Sequence, residues 1–349
     1  MGLATAKACG WDRGKSLSMH CQVADAIYRT HPLNHRRHVL KKLLLATVAA
    51  CASTLAMAQA PIQVVVPVGV QQNPAGGFVL NGDAWFGDRI NGIVHYARNP
   101  DGTYAVDLTQ GFTIPGAGAS TTFGFNYVGQ VFQVSPQLAL VAIPDNGKGS
   151  DNRPVAGVYT LSFAPQFTAP ISPVGNLTHL VPDKGLAGAT SVALGPDLNP
   201  YVGFLRSGNL VRINGNQVES VGGTLNGQPI LSLTFNGSDA YLATGDGLYV
   251  VPNAPACQGN KDNCGRPVLV AGGATVAVAN DNHGHLYFSQ SIGIVRRLDL
   301  ATGAIAQVAS GLSFGSITAG LVIDEDGNLL IGELSQIDRI LATDLATVQ

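Results

Sequence analysis

The stretch Leu321-Val322-Ile323-Asp324-Glu325-Asp326-Gly327-Asn328-Leu329-Leu330-Ile331-Gly332, continued by Ile337-Asp338-Arg339-Ile340, decides how this chain is read. Its apolar runs are too short for helices. Between them lie Asp, Gly and Asn, which bond their own backbone or tolerate positive φ, so the segment reads as antiparallel strands joined by tight turns. The same unit recurs upstream. Val276-Ala277-Val278 leads to His285-Leu286-Tyr287-Phe288 and then to Gly293-Ile294-Val295-Arg296-Arg297. Leu233-Thr234-Phe235 turns through Asn236-Gly237-Ser238-Asp239 into Tyr241-Leu242-Ala243, then Gly247-Leu248-Tyr249-Val250. Val192-Ala193-Leu194 turns into Tyr201-Val202-Gly203, then Asn209-Leu210-Val211-Arg212-Ile213. Phe78-Val79-Leu80 turns through Asn81-Gly82-Asp83 into Ala84-Trp85-Phe86-Gly87, and a weaker unit lies around Leu138–Ala142 and Val158–Leu161.

The anchors Tyr201, Tyr241, Tyr287 and Leu330 are 40, 46 and 43 residues apart. Short strands recurring at this period mean about four strands per unit and a β-propeller, an all-β ring of radial sheets. Six units account for the strands. The earlier gaps, from Trp85 to Leu140 and from Leu140 to Tyr201, are 55 and 61 residues and leave room for a seventh, degenerate blade. The last unit reaches Gln349 after three strands, so its outer strand is expected from Ile62–Val68, which would close the ring and pair two open edges. Pro67 is tolerated there because an outermost strand has one free side.

Composition agrees. The 349 residues include 43 Gly and 19 Pro, and only 12% are charged. Such scarcity of Lys and Glu excludes a helical bundle or coiled coil, while 46% hydrophobic content excludes disorder for the bulk of the chain. The near-neutral balance excludes a nucleic-acid binder, which needs a basic face.

The N-terminal part carries an address. Arg36-Arg37 and Lys41-Lys42 precede an apolar run from Leu43 to Ala56, which ends in Ala56-Met57-Ala58. Basic region, short apolar region and A-x-A site together predict a secretory signal peptide over 39–58, cleaved after Ala58. The run is too short to span a bilayer, so no transmembrane segment is expected. Residues 1–38 then read as an over-called start, with translation beginning at Val39. The alternative is a lipobox, Val48-Ala49-Ala50-Cys51, which would anchor a lipoprotein at Cys51. Domain organisation is therefore an extension 1–38, a signal 39–58 and one propeller 59–349, exported to the periplasm or secreted and expected to be monomeric. After cleavage the chain keeps 12 basic and 20 acidic residues, a net charge of −8, unsuited to anionic lipid or DNA. Cys257 and Cys264, alone in the mature chain, are expected to form a disulfide in an oxidising compartment, with a metal pair as the alternative.

The blades "DEDGNLLIGELSQIDRI" and "NGDAWFGDRINGIVHY" resemble the repeat of six-bladed propellers of the NHL, SMP-30/gluconolactonase-like and streptogramin-lyase-like group, also described as TolB-like. The resemblance covers about residues 62–349 and implies a fold far more than an activity. In the gluconolactonase-like enzymes it would imply a divalent metal held by acidic residues and an Asn. Two of those positions fall here on Gly76-Gly77 and Ala319, which carry no carboxylate. In the lyase-like members it would imply a late-blade His. His283 and His285 lie in such a blade, in a hairpin turn where solvated histidine is the simpler expectation.

One residue per blade at the end of the second strand gives Asp88, Asp145, Arg206, Asp246, Gln290 and Glu333 as candidates for a funnel. Four carboxylates, an arginine and an amide suit a cation such as Ca²⁺ or a polyol, although Asp is also a common turn former. Asp88 and Glu333 are the candidate metal ligands, because ring closure makes the first and last blades neighbours. The Gly- and Asp-rich insert 145–153 lacks the spacing of an EF-hand loop. No nucleophile elbow, zinc-protease motif or nucleotide loop occurs. The expected function is an exported binding or scaffold module for a protein or small-molecule ligand, without catalysis. The alternative is a metal-dependent lactonase-like hydrolase or a lyase working in the funnel.

Overall fold

The computed structural model describes residues 59–67, 74–88, 92–112, 128–144, 156–162, 177–181, 186–222, 225, 227–257, 266–315 and 319–348. A first strand, β1 (Gln63–Val66), is followed by blade 1, made of β2 (Ala75–Leu80), β3 (Asp83–Asp88), β4 (Gly92–Arg98) and β5 (Tyr104–Phe112). Blade 2 holds β6 (Val131–Ser135), β7 (Leu138–Ile143), β8 (Gly157–Ser162) and β9 (Leu177–His179). Blade 3 holds β10 (Ala189–Leu194), β11 (Pro200–Phe204), β12 (Leu210–Asn214) and β13 (Gln217–Val221). Blade 4 holds β14 (Ile230–Asn236), β15 (Asp239–Thr244), β16 (Gly247–Val251) and β17 (Val268–Gly272). Blade 5 holds β18 (Thr275–Asn280), β19 (His285–Gln290), β20 (Ile294–Asp299) and β21 (Ile305–Ser310). Blade 6 holds β22 (Gly320–Ile323), β23 (Leu329–Gly332) and β24 (Ile337–Ile340), with β1 as its fourth strand. The described strands thus form six four-stranded antiparallel sheets, a six-bladed propeller.

A blade inside a ring has a neighbour on both faces, so its second strand is buried on both. This explains why Leu138–Ile143 reads LALVAI without polar alternation and why Leu329–Gly332 is wholly buried. Along β7, Ala139 and Val141 enter the core shared with Trp85 and Ile93 of blade 1. Leu140 and Ala142 point the other way, into the core shared with Val192 and Val202 of blade 3. The described apolar residues fall into six such clusters, one at each blade interface, including one where Val65, Val66, Leu330 and Ile337 meet Phe86 and Tyr96. The core is an annulus of interfaces with no single centre.

Turns follow the residue chemistry. Asn81 (φ 54°) and Gly82 (φ 85°) are both left-handed in the two-residue turn between β2 and β3, as a twisted hairpin requires. In the Asp324–Asn328 turn the Asp324 carboxylate accepts bonds from Asp326 N, Asn328 N and Asn328 Nδ2 at 2.8–3.0 Å, and Gly327 sits at φ 79°. The matching turn of blade 3 closes with the same backbone bonds, Gly195 N to Asn199 O and Leu198 N to Gly195 O. There the left-handed position is occupied by Leu198 (φ 62°), which is 78% exposed. A third such turn holds both turn histidines: His283 N and His285 N donate to Asp281, and His285 Nδ1 lies 2.8 Å from its carboxylate.

Polar side chains cross-link the innermost strands. Thr190 Oγ1 donates to Ile230 O (2.6 Å), Asn280 Nδ2 to Phe235 O (2.6 Å), and Ser232 Oγ accepts from Val278 N (3.2 Å). Gln130 reaches furthest. From the entry to blade 2 it passes β10 to blade 4, where Nε2 donates to Leu233 O (2.7 Å) and Oε1 accepts from Leu233 N (2.9 Å) and Val192 N (3.3 Å). It behaves as a piece of strand laid against two others.

At the seam, Val64 pairs with Asp338, Gln63 with Arg339 and Val66 with Ile337. Arg339 Nη2 donates to Gln63 Oε1 (2.9 Å) and its Nη1 to Gly102 O of blade 1. Beyond β24 a single turn of helix, α1 (Ala342–Leu345), ends the chain against blade 5, where Arg297 Nη1 donates to Leu345 O (2.8 Å) and its Nη2 to Val348 O. Of the expected disulfide, Cys257 is buried beside Ala254 and Val251 in the core between blades 3 and 4, while Cys264 lies outside the described residues. Signal and extension, residues 1–58, lie outside them too.

Two stability changes follow. Leu198→Gly relieves a left-handed leucine that costs roughly 1–2 kcal/mol, against roughly 0.5–1 kcal/mol of added chain entropy, so a net gain up to about 1.5 kcal/mol is expected as a higher urea midpoint. Gln130→Ala orphans backbone groups of Leu233 and Val192 and is expected to cost about 1–3 kcal/mol, with an unchanged urea m-value showing that both variants remain cooperative.

Candidate functional site

Innermost strands of a propeller converge on its axis, and here they leave a cavity of about 440 Å³. Strands β2, β6, β14, β18 and β22 line its walls, and the turns that follow β2, β6, β18 and β22 form its rim, through Asn81, Pro136, Asn282 and Glu325. The walls carry Phe132 and the aliphatic Val79, Ala279 and Ile323, with Gln130, Gln133, Thr234 and Asn280 between them. Gln130 and Asn280 are committed to backbone of neighbouring blades. Among the described residues, the side chains of Asn81, Gln133 and Asn282 make no hydrogen bond within the protein. Asp324 is taken up by its own turn, which leaves Glu325 as the free carboxylate at the rim.

Of the six residues singled out in the sequence, the five that are described stand elsewhere, at or just beyond the ends of second strands. Asp88 closes β3 opposite Gly92, and Asp145 lies outside the described residues. Arg206 is exposed two residues past β11. Asp246 is exposed and accepts from Thr244 Oγ1 (2.8 Å) and Tyr249 OH (3.1 Å). Gln290 is buried, its Nε2 donating to Gly272 O (2.9 Å) and its Oε1 without a partner among the described residues. Glu333 is buried and accepts from Ser313 N and from Gln336 Nε2 (2.9 Å). No hydrogen bond or ion pair joins any two of the four whose side chains are described, and none of the six is among the described residues lining the cavity. Among the described residues no group of three or more His, Cys, Asp and Glu is placed to hold a metal ion.

Sequence reasoning missed the partner of Glu333. Gln336 Nε2 donates also to Asp338 Oδ1 (3.0 Å) and Oδ2 (3.2 Å), so one amide bridges two buried carboxyls. Burial, followed by the hydrogen bond and charge of Glu333, pushes the Asp338 carboxyl up to about 8, while Gln336 pulls it back somewhat. Asp338 belongs to a four-residue strand, IDRI, buried throughout. An Asp in so short a strand reads as solvent-facing, but here it is buried, its backbone paired with Val64 of β1 and its carboxyl held by Gln336 beside Glu333.

No protein-family model matches the sequence, and no curated protein matches it. Solved structures do. A streptogramin B lyase matches with a TM-score of 0.53 at 12% identity, covering 82% of this chain and 99% of its own. A calcium-binding protein, regucalcin from Agrobacterium tumefaciens, matches with a TM-score of 0.52 at 14% identity, over 81% and 94%. The chain shares the β-propeller architecture with both. An auxiliary nutrient binding protein from Bacteroides thetaiotaomicron shares it as well, with a TM-score of 0.52 at 13% identity over 81% and 76%. At such identities the likeness is one of architecture, common to binding proteins and enzymes alike.

The carboxyl pair gives the seam a pH dependence. The folded chain holds a proton on Asp338 up to about pH 8, whereas an unfolded Asp loses it near 3.8. Unfolding therefore releases a proton across that window, and this group's contribution to stability declines as pH rises through it. Asp338→Asn keeps the bond from Gln336 and removes the titration. The variant is expected to gain stability relative to the parent between pH 5 and pH 8, read as a growing difference in Tm; a constant difference would contradict the account.

Proposed function

We propose that this chain is an exported β-propeller that works as a binding module, taking its ligand in the axial cavity and performing no chemistry on it. The observation that carries this reading is the cavity of about 440 Å³, within the roughly 300–1,000 Å³ of small-ligand sites, walled by rigid strands and rimmed by uncommitted amides. Export is supported by the N-terminal signal-like segment and by the −8 net charge of the chain after residue 58. In the same reading Cys257 and Cys264 are joined, stapling the long β16–β17 connection, which an oxidising compartment permits.

Expression of the full chain in a bacterial host tests export and binding together. N-terminal sequencing of the exported product is expected to begin at Gln59. A product retained in the membrane and beginning at a lipid-modified Cys51 would mean an anchored lipoprotein instead. A ligand present at 100 times its Kd should stabilise the product by about 2.7 kcal/mol and be recovered unchanged. The alternative, a metal-dependent hydrolase or lyase using Asp88 and Glu333, requires stabilisation by Ca²⁺, Mg²⁺ or Mn²⁺ that EDTA reverses and that Asp88→Ala abolishes.

A further inference from the structure

We propose that the axial cavity is a site for a neutral, polyhydroxylated ligand, a mono- or disaccharide or a polyol, admitted through the rim formed by the first-to-second-strand turns. This deepens the binding-module reading and rests on it.

Charge narrows the ligand first. Among the described residues lining the cavity there is no Lys, Arg or His. A phosphate, sulfate or sugar acid would find no counter-charge there and would meet Glu325. A hard cation fares little better, since Asp324 spends its carboxylate on Asp326 N, Asn328 N and Asn328 Nδ2. A single exposed carboxylate is far short of the six to eight oxygens that Ca²⁺ takes.

Hydrogen-bonding capacity narrows it further. Asn81, Gln133 and Asn282 each offer an acceptor oxygen and a donor nitrogen side by side, on three different blades. A pair of vicinal hydroxyls presents the complementary pattern, each hydroxyl both giving and accepting. Gln130 and Asn280, already bound to Leu233 and Phe235, fix the walls without competing for the ligand. Half-buried Phe132, with Val79, Ala279 and Ile323, supplies apolar surface for the C–H faces of a sugar ring. Polar groups interleaved with apolar side chains suit a ligand that presents both hydroxyls and C–H faces. Asn81 and Asn282 hold positive φ (54° and 58°) in tight turns at the rim, which makes glycine an unstrained replacement there.

The test uses the full chain as the host exports it. Saturation-transfer NMR and titration calorimetry are run against neutral mono- and disaccharides and polyols, sugar phosphates and sugar acids, diamines, and short neutral peptides. Binding is expected in the first group alone. Gln133→Ala and Asn282→Gly should each weaken it about tenfold, the loss of roughly one ligand hydrogen bond, with Tm unchanged. Gln217→Ala, on the exposed β12–β13 hairpin, should bind as the parent does. Binding only of anions, diamines or peptides that the two cavity variants weaken would overturn the ligand class while leaving the binding-module reading intact. Neutral-sugar binding indifferent to both variants would overturn the site. Absence of binding in every group would overturn the proposal, and conversion of a bound ligand to product would overturn the non-catalytic reading instead.

Discussion

Each sheet of this protein has two apolar faces and cannot leave either in water. That constraint organises the rest. A second strand such as Leu138–Ile143 sends alternate residues into two different interfaces, so a blade is stable only between neighbours, and a row of blades is complete only as a ring. Closure then depends on a short strand pairing between the two ends of the described chain. Blade 6 receives its outer strand from Gln63–Val66, and Val65 and Val66 complete the core against Phe86 and Tyr96 of blade 1. Removing the pairing would open two sheet edges and expose an interface at once.

The ring's polar economy follows from the same geometry. Innermost strands have no further strand toward the axis, so their backbone groups need other partners. Thr190, Ser232, Asn280 and above all Gln130 supply them, linking blades across their inner edges. What remains on the axis is a cavity whose shape is set by committed residues and whose spare hydrogen-bonding capacity comes from uncommitted ones. The division is useful for a binding protein: the amides that would meet a ligand can vary without loosening those that hold the wall.

At the seam, the buried carboxyls of Glu333 and Asp338 share the amide of Gln336. Burying two acids together is unfavourable unless one keeps its proton. The strand that closes the ring thus pairs directly with a titrating residue, which ties this joint of the fold to pH. Arg339, paired with Gln63 and reaching Gly102 O, holds the same joint from its other side.

Much of the architecture was legible in the chain itself. Apolar runs of strand length, turns built on Asn81-Gly82 or Asp324-Glu325-Asp326-Gly327-Asn328, and a period near 43 residues are local facts, because turn and strand preferences act over a few neighbouring residues. The missing outer strand of the last blade could be inferred as well, since an unpaired edge is a deficit countable from sequence. The site could not. Asp88, Arg206, Asp246, Gln290 and Glu333 share a position in the repeat, yet no bond joins those described, because equivalence along the chain does not specify where each side chain turns. Asp246 turns to Tyr249, Glu333 to Ser313 and Gln336. Which amides are spent and which are free, and whether Asp338 is buried or meets water, depend on contacts between residues over two hundred positions apart in sequence or on other blades. The sequence by itself determined the repeat, its inner strands and its turns and left six blades or seven open; only the closed ring fixed six and decided the cavity and its chemistry, because these rest on residues that no local preference brings together.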